Sequence, residues 1–300
     1  MVKVLAPAKL NLGLRILDRR PDGYHEIETV FVPLRLFDEL EIEVSDEPGI
    51  RLECDDPSLP VDGRNLAVRA AERTSAALGL EPSLVIRLRK RIPVAAGLGG
   101  GSSDAAAVML GLEALSGVAL DAQVRADLAR GLGADVPFFL EPRPAVGRGV
   151  GERLEPIPDL PELTWLLVRL PFGISTAEAY ASASRELTLP RRGSSIAALL
   201  GPSKGVRSPE NDLETFAVRG HPEIGQARRA LLEEGARAAG MSGSGPTVYG
   251  LFGGSEGGSE AARAVASLVT GAKLPAGAET IVSTSPGSGI GNWGWGVAKW

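Results

Sequence analysis

From Val4 to Arg15 the chain alternates. Val4, Ala6, Ala8, Leu10, Leu12 and Leu14 share one parity, and Leu5, Pro7, Lys9, Asn11, Gly13 and Arg15 share the other. Side chains two apart lie on one face of a strand, so the pattern predicts a half-buried strand with Lys9 and Asn11 adjacent on its less apolar face. Lysine is depleted in strands. Lys9 is therefore either a solvated strand position or, beside a carboxylate, an acid/base candidate. Arg20-Pro21-Asp22-Gly23 predicts a turn, because proline fixes φ and glycine accepts a positive φ. A strand from His25 to Leu34 then closes a hairpin.

Shorter patterns fill in a mixed α/β chain. Strands are expected at Glu39–Val44 and Leu84–Leu88, and a helix at Asn65–Leu78, stopped by Gly79. A helix should follow the cluster Gly97-Leu98-Gly99-Gly100-Gly101-Ser102-Ser103-Asp104, with Ser102, Ser103 and Asp104 able to cap it. Another spans Asp121–Leu132, and Gly133-Ala134-Asp135-Val136-Pro137 leads into the apolar run Phe138-Phe139-Leu140. Prolines between Glu141 and Pro161 suggest a connection between two halves. The second half reads as strands at 165–170, 247–252 and 280–282, helices at 176–184, 222–233 and 259–269, and a loop from 190 to 209. Two domains follow, residues 1–155 and 156–283, with a glycine- and tryptophan-rich tail at 284–300.

Three hundred residues suit two domains. The net charge of −5 argues against a globally basic nucleic-acid binder. Cys54 is the single cysteine, and His25 and His221 are the only histidines, which disfavours disulfides and a zinc site. Neither a signal peptide nor an apolar membrane span is recognisable, so a cytoplasmic protein is expected.

Glycine is the outlier, 38 residues gathered in a few clusters. Consecutive glycines let several backbone N–H groups point into one concavity, and a helix N-terminus behind them favours negative charge. The cluster at 97–104 is thus a phosphate cradle in the making. It lacks the Gly-Lys-Ser/Thr ending of a P-loop, and Ser102 stands where the dinucleotide fingerprint needs its last glycine. A second cluster, Gly240-Met241-Ser242-Gly243-Ser244-Gly245-Pro246, reads as a flexible connection or as a lining of the same cleft. Asp135 alone reads as a turn residue, and Tyr24, Tyr180 and His25 alone read as packing residues.

Together these pieces resemble the GHMP kinases. The resemblance rests on Pro7-Ala8-Lys9-Leu10-Asn11-Leu12, on Pro93 to Ser103, and on Met241-Ser242-Gly243-Ser244-Gly245, in that order. Asp22-Gly23-Tyr24-His25, Leu132 to Pro137, Gly149-Val150-Gly151-Glu152 and Ser175-Thr176 point to the branch acting on 4-diphosphocytidyl-methylerythritol. The similarity runs from Leu5 to Phe252. It implies an N-terminal mixed-sheet nucleotide-binding domain, a ferredoxin-like α/β C-terminal domain, and a cleft between them. It implies transfer of the ATP γ-phosphoryl to the acceptor's 2-hydroxyl on the non-mevalonate isoprenoid route, with Mg2+.

Asp135 would then be the general base and Lys9 its partner. Pro93, Val94, Ala95, Ala96, Gly97, Leu98, Gly99, Gly100, Gly101, Ser102 and Ser103 would hold the triphosphate, with Asn65 and Lys90 near the adenine. Tyr24 and Tyr180 would stack on the cytosine, His25 would bond its edge, and Asn11 and Thr176 would contact the rest of the acceptor. The magnesium ligands stay open, Ser103 and Asp104 being candidates, and a monomer or weak homodimer is implied. The rivals are another GHMP kinase with a mevalonate-type, homoserine or sugar acceptor, and a non-catalytic nucleotide binder needing neither Lys9 nor Asp135.

Overall fold

The computed structural model describes residues 1–158, 160–187, 210–254, 257–286 and, for the backbone alone, 296–299. Its first sheet is built on two long strands, β1 (Val2–Arg19) and β2 (His25–Val44). β3 (Gly49–Cys54), β4 (Ser83–Arg89), β5 (Ala145–Gly149), β6 (Arg153–Pro156) and β11 (Gly296–Lys299) complete it. The order is β11-β1-β2-β4-β3, and β5 pairs with both β2 and β6. One end of β2 pairs with β4 and the other with β5. The two strands expected at 25–34 and 39–44 are therefore one, which changes neighbours at a register shift between Pro7 and Ala8 of β1.

Helices α1 (Leu66–Leu78), α2 (Gly100–Ser116), α3 (Ala122–Leu132) and α4 (Val136–Leu140) accompany this sheet. Asn65 caps α1 by accepting from the Ala67 N–H, and Gly79 ends it in the left-handed region. Asp121 caps α3.

The second sheet contains β7 (Leu163–Arg169), β8 (Ala238–Met241), β9 (Thr247–Gly253) and β10 (Glu279–Ser285), antiparallel in the order β10-β7-β9-β8. Helices α5 (Thr176–Glu186), α6 (Asp212–Gly220) and α7 (Pro222–Glu233) lie between β7 and β8, and α8 (Gly257–Thr270) between β9 and β10. Strand, helices, two strands, helix, strand in this order is the ferredoxin-like arrangement.

β1 explains why the two sheets are one body. Val2, Val4 and Ala6 enter the core under α1 and α2. Ala8, Leu10 and Leu12 join a core shared with Trp165, Leu167, Tyr249 and Leu251 of the second sheet. Leu14 and Ile16 reach the core of α5–α8. The alternating set of one strand thus feeds three clusters in turn. The other parity is covered too at the middle of the strand: Lys9 and Asn11 are 5% and 3% exposed, so of the two readings of Lys9 the solvated strand position does not hold.

Seven elements escaped the pattern reading: β3, α4, β5, β6, α6, β8 and β11. β5 and β6 occupy the proline-rich stretch read as a connection, and β10 runs on through Ser285 into the stretch read as tail. In that tail, 296–299 extends the first sheet beside β1. Trp293, Trp295, Trp300 and the expected loop at 190–209 lie outside the described residues.

α2 crosses the sheet at Gly111, where an added Cβ would sit 2.5 Å from Ile42 Cδ1 and 3.2 Å from Val4 Cγ2. Gly111→Leu should therefore overpack this crossing and cost about 1–3 kcal/mol of stability, read from urea unfolding. An unchanged midpoint would show that the crossing has room to spare.

Candidate active site

Lys9 is turned inward by its neighbours. Its N–H bonds the Leu98 carbonyl (2.9 Å), tying β1 to the glycine loop. Its ammonium donates to Asn11 Oδ1, lies 3.3 Å from Asp135 Oδ2, and stands 5.0 Å over the Phe31 ring. Asn11 is fixed in turn by donating to Thr29 Oγ1 (3.0 Å), and Thr29 donates to the Gly13 carbonyl (2.6 Å). Asp135 precedes α4, whose Val136, Phe138 and Phe139 are buried under α2. Those apolar anchors set the carboxylate against Lys9 and leave it 32% exposed. An ammonium and a part-exposed carboxylate therefore meet at a cavity wall, 126 residues apart in the chain.

The glycine loop meets the second glycine cluster at Ser242. Its buried hydroxyl donates to the Gly97 carbonyl (3.0 Å) and accepts the Asn11 N–H (3.1 Å). Gly97 has φ +75°, and a Cβ there would stand 2.5 Å from the Ser242 carbonyl oxygen; at Gly99, also φ +75°, it would strike Phe139 at 2.8 Å. Only glycine fits both positions. α2 begins at Gly100, earlier than expected, and has no side-chain cap. Ser102, Ser103 and Asp104 are helical residues rather than caps, so the first-turn N–H groups stay free for an anion.

Two cavities flank this loop. The larger, about 760 Å3, is lined by Lys9, Asn11, Tyr24, His25, Asp135, Thr176 and Tyr180, so it gathers both expected catalytic residues and all five acceptor-binding ones. The smaller, about 340 Å3, is lined by Asn65, Lys90, Pro93–Gly97 and Gly99–Ser102. Gly97, Gly99 and Ser102 border both. Leu98 is buried beneath the loop and reaches neither as a lining residue.

In the larger cavity His25 stacks on Tyr180 with centroids 5.1 Å apart and planes 20° apart, and its Nε2 meets Ser184 Oγ. Burial, then the Arg19 charge, lowers the His25 pKa. Burial and the Asp135 carboxylate raise that of Tyr180. Tyr24 is 64% exposed at the rim. Thr176 Oγ1 lies 2.8 Å from Ser244 Oγ, so the second glycine cluster does line this cleft.

Ser103 and Asp104 do not suit magnesium. The Ser103 hydroxyl is buried, and Asp104, its side chain 3% exposed, holds Lys90. Among the described residues no cluster of three or more His, Cys, Asp or Glu is arranged to hold a metal. Nor is any helix there long and apolar enough to cross a membrane.

The sequence reading missed the support from α6. Asn211 donates to the carbonyls of Met241 and Gly243 (2.8 Å each), Asp212 Oδ2 accepts the Ile16 N–H (2.7 Å), and Glu214 accepts the Met241 N–H (2.8 Å). Asn-Asp-Leu-Glu, a capping residue with an acid three positions on, was the available signal.

This site lies on a kinase scaffold. The GHMP kinases N terminal domain model matches residues 65–141, and the GHMP kinases C terminal model matches 197–270. A homoserine kinase from Cytophaga hutchinsonii, 20% identical, shares the fold with a TM-score of 0.72 over 95% of this chain and 94% of its own. The nearer resemblances are narrower. A 4-diphosphocytidyl-2-C-methyl-D-erythritol kinase from Syntrophotalea carbinolica is 41% identical over 84% of this chain and 90% of its own length. One from Pelotomaculum thermopropionicum is 43% identical over 84% and 89%. The crystal structure of a 4-(cytidine 5'-diphospho)-2C-methyl-D-erythritol kinase superposes with a TM-score of 0.76 at 39% identity, covering 95% and 99%. The chain belongs to the 4-diphosphocytidyl-2-C-methyl-D-erythritol kinase family, and it is a kinase of mixed α/β, two-domain GHMP fold.

The lowered His25 pKa has a sign. The folded protein resists the charged imidazole, so the stabilisation is complete above the ordinary value of about 6.5 and is lost as pH falls toward the folded value. In an NMR titration His25 should show its midpoint below about 6.5. A midpoint above that would contradict the burial described.

Proposed function

We propose that the protein transfers the γ-phosphoryl group of ATP to the 2-hydroxyl of 4-diphosphocytidyl-2-C-methyl-D-erythritol. The acceptor comes from the name its relatives carry. The observation that carries the mechanism is the Lys9–Asp135 pair, 3.3 Å apart on the wall of the larger cavity and beside the glycine loop.

In this reading the loop amides and the first turn of α2 hold the triphosphate where the cavities meet. The adenine lies in the smaller cavity beside Asn65, and the acceptor fills the larger. Asp135 takes the proton of the acceptor hydroxyl. The oxygen's electron pair forms the new bond to the γ-phosphorus as the bond to the bridging oxygen breaks, and ADP departs. Lys9 balances the charge that gathers between donor and acceptor. Such transfer is mainly positioning and charge stabilisation. Magnesium, when bound, would neutralise phosphate charge. Ser102, which borders both cavities, would offer its hydroxyl to it.

Tyr24 and Tyr180 are the aromatic surfaces for the cytosine, stacking being worth about 1–3 kcal/mol per base, and His25 bonds its edge. Asn11 and Thr176 face the remainder of the acceptor. The protein works as a monomer or weak homodimer in the cytoplasm.

Asp135→Asn should lower kcat by about 10²–10⁴-fold while leaving ATP binding close to wild type. Wild-type turnover would remove Asp135 from the mechanism. Across a panel of acceptors, ADP release should require the cytidine diphosphate moiety. Equal rates with mevalonate, homoserine or a sugar would sink the acceptor assignment.

A further inference from the structure

The cation expected beside the adenine is spoken for. Lys90, just past β4, extends its ammonium into the interior, with the side chain 7% exposed. The ammonium lies 2.5 Å from Asp38 Oδ2 and 2.7 Å from Asp104 Oδ2. Asp38 is fully buried, and its other oxygen accepts the Arg91 N–H (2.6 Å) and the Ile92 N–H (2.9 Å). Asp104 belongs to the second turn of α2. One buried ammonium thus joins β2, the segment leaving β4 and the helix behind the glycine loop.

The position of this cluster matters more than its charge count. Residues 90–92, which Asp38 grips through two amides and the ammonium, lead directly into the loop at 93–99. A Cβ on Gly100 would lie 3.3 Å from Lys90 Nζ and 3.1 Å from Ile92 Cγ2, so the tethered segment packs under the first residue of α2. Lys90 and Asp104 both line the smaller cavity. Two of the ammonium's three N–H donors are taken by the carboxylates.

We infer that Asp38, Lys90 and Asp104 are positioning residues: their buried ion cluster fixes the entry to the glycine loop against the start of α2, and so sets the shape of the nucleotide cavity. The inference rests on the reading of the smaller cavity as the nucleotide's. A cluster that only held the fold together would change stability and leave the affinity of the folded protein alone. A cluster that positions the loop changes nucleotide affinity at temperatures where the variant is fully folded, and leaves the acceptor cavity untouched.

The test is calorimetric titration with the non-hydrolysable analogue AMPPNP, below the unfolding midpoint of each variant, together with KM for both substrates. Lys90→Met and Asp38→Asn should each weaken AMPPNP by about tenfold or more: the first leaves two buried carboxylates without their cation, and in the second the single amide oxygen cannot serve both the Lys90 ammonium and the backbone N–H groups of Arg91 and Ile92. KM for ATP should rise in step and KM for the acceptor stay within about twofold. Asp104→Asn, which keeps an oxygen for Lys90, should retain most of the affinity. Should Lys90→Met fail to fold, Asp38→Asn carries the same comparison. Folded variants that bind AMPPNP as wild type does, or that raise both KM values together, overturn the inference. A wild-type protein that does not bind AMPPNP overturns the nucleotide reading beneath it.

Discussion

One buried hydroxyl, that of Ser242, holds the site together. It accepts from β1 at Asn11 and donates to the glycine loop at Gly97, while its own carbonyl lies where a Cβ on Gly97 would have to go. Three segments more than two hundred residues apart at their extremes are thereby held in contact. Each is glycine-rich or strand-bound where it meets the others, because the approach leaves no room for side chains. Without that joint Lys9 and the loop would belong to separate layers of the molecule.

The catalytic couple depends on a second constraint, which is apolar. Asp135 has no side-chain role in capping α4. It is aimed by Phe138 and Phe139, whose rings pack edge to face with centroids 5.1 Å apart and fill the space under α2. Phe139 also occupies the place that a side chain at residue 99 would need. One packing arrangement therefore places the carboxylate and keeps the loop bare. α6 braces the second glycine cluster through Asn211 and Glu214, and burial raises the Glu214 pKa while the Met241 N–H acts against that shift. The polar brackets and the aromatic wedge act on the same cleft.

Where local chemistry alone sets a conformation, the sequence was readable. The helices that begin at Asn65 and Asp121 and the Gly79 stop are all satisfied within a few residues, and each is seen in the fold. α2 shows the opposite case: glycine disfavours helix, yet Gly100 and Gly101 are helical because α2 is packed against β1, β2 and α1. β8 is hidden for a similar reason. Ala238-Ala239-Gly240-Met241 has little strand propensity and is a strand only because β9 offers it a ladder.

The residue order by itself determined which groups could do chemistry: a glycine run able to bare its amides, a lysine in a strand, an acid at a turn. Those are properties of side-chain type and short spacing. Tertiary structure alone decided which of them meet. Lys9 and Asp135, Lys90 with Asp38 and Asp104, and Ser242 with Gly97 are pairings between distant segments, fixed by which apolar faces pack together and by which backbone groups still need partners once they do. It also decided that Lys9 and Asn11 would be interior, since the glycine loop, Asp135 and Ser242 close over that stretch of β1.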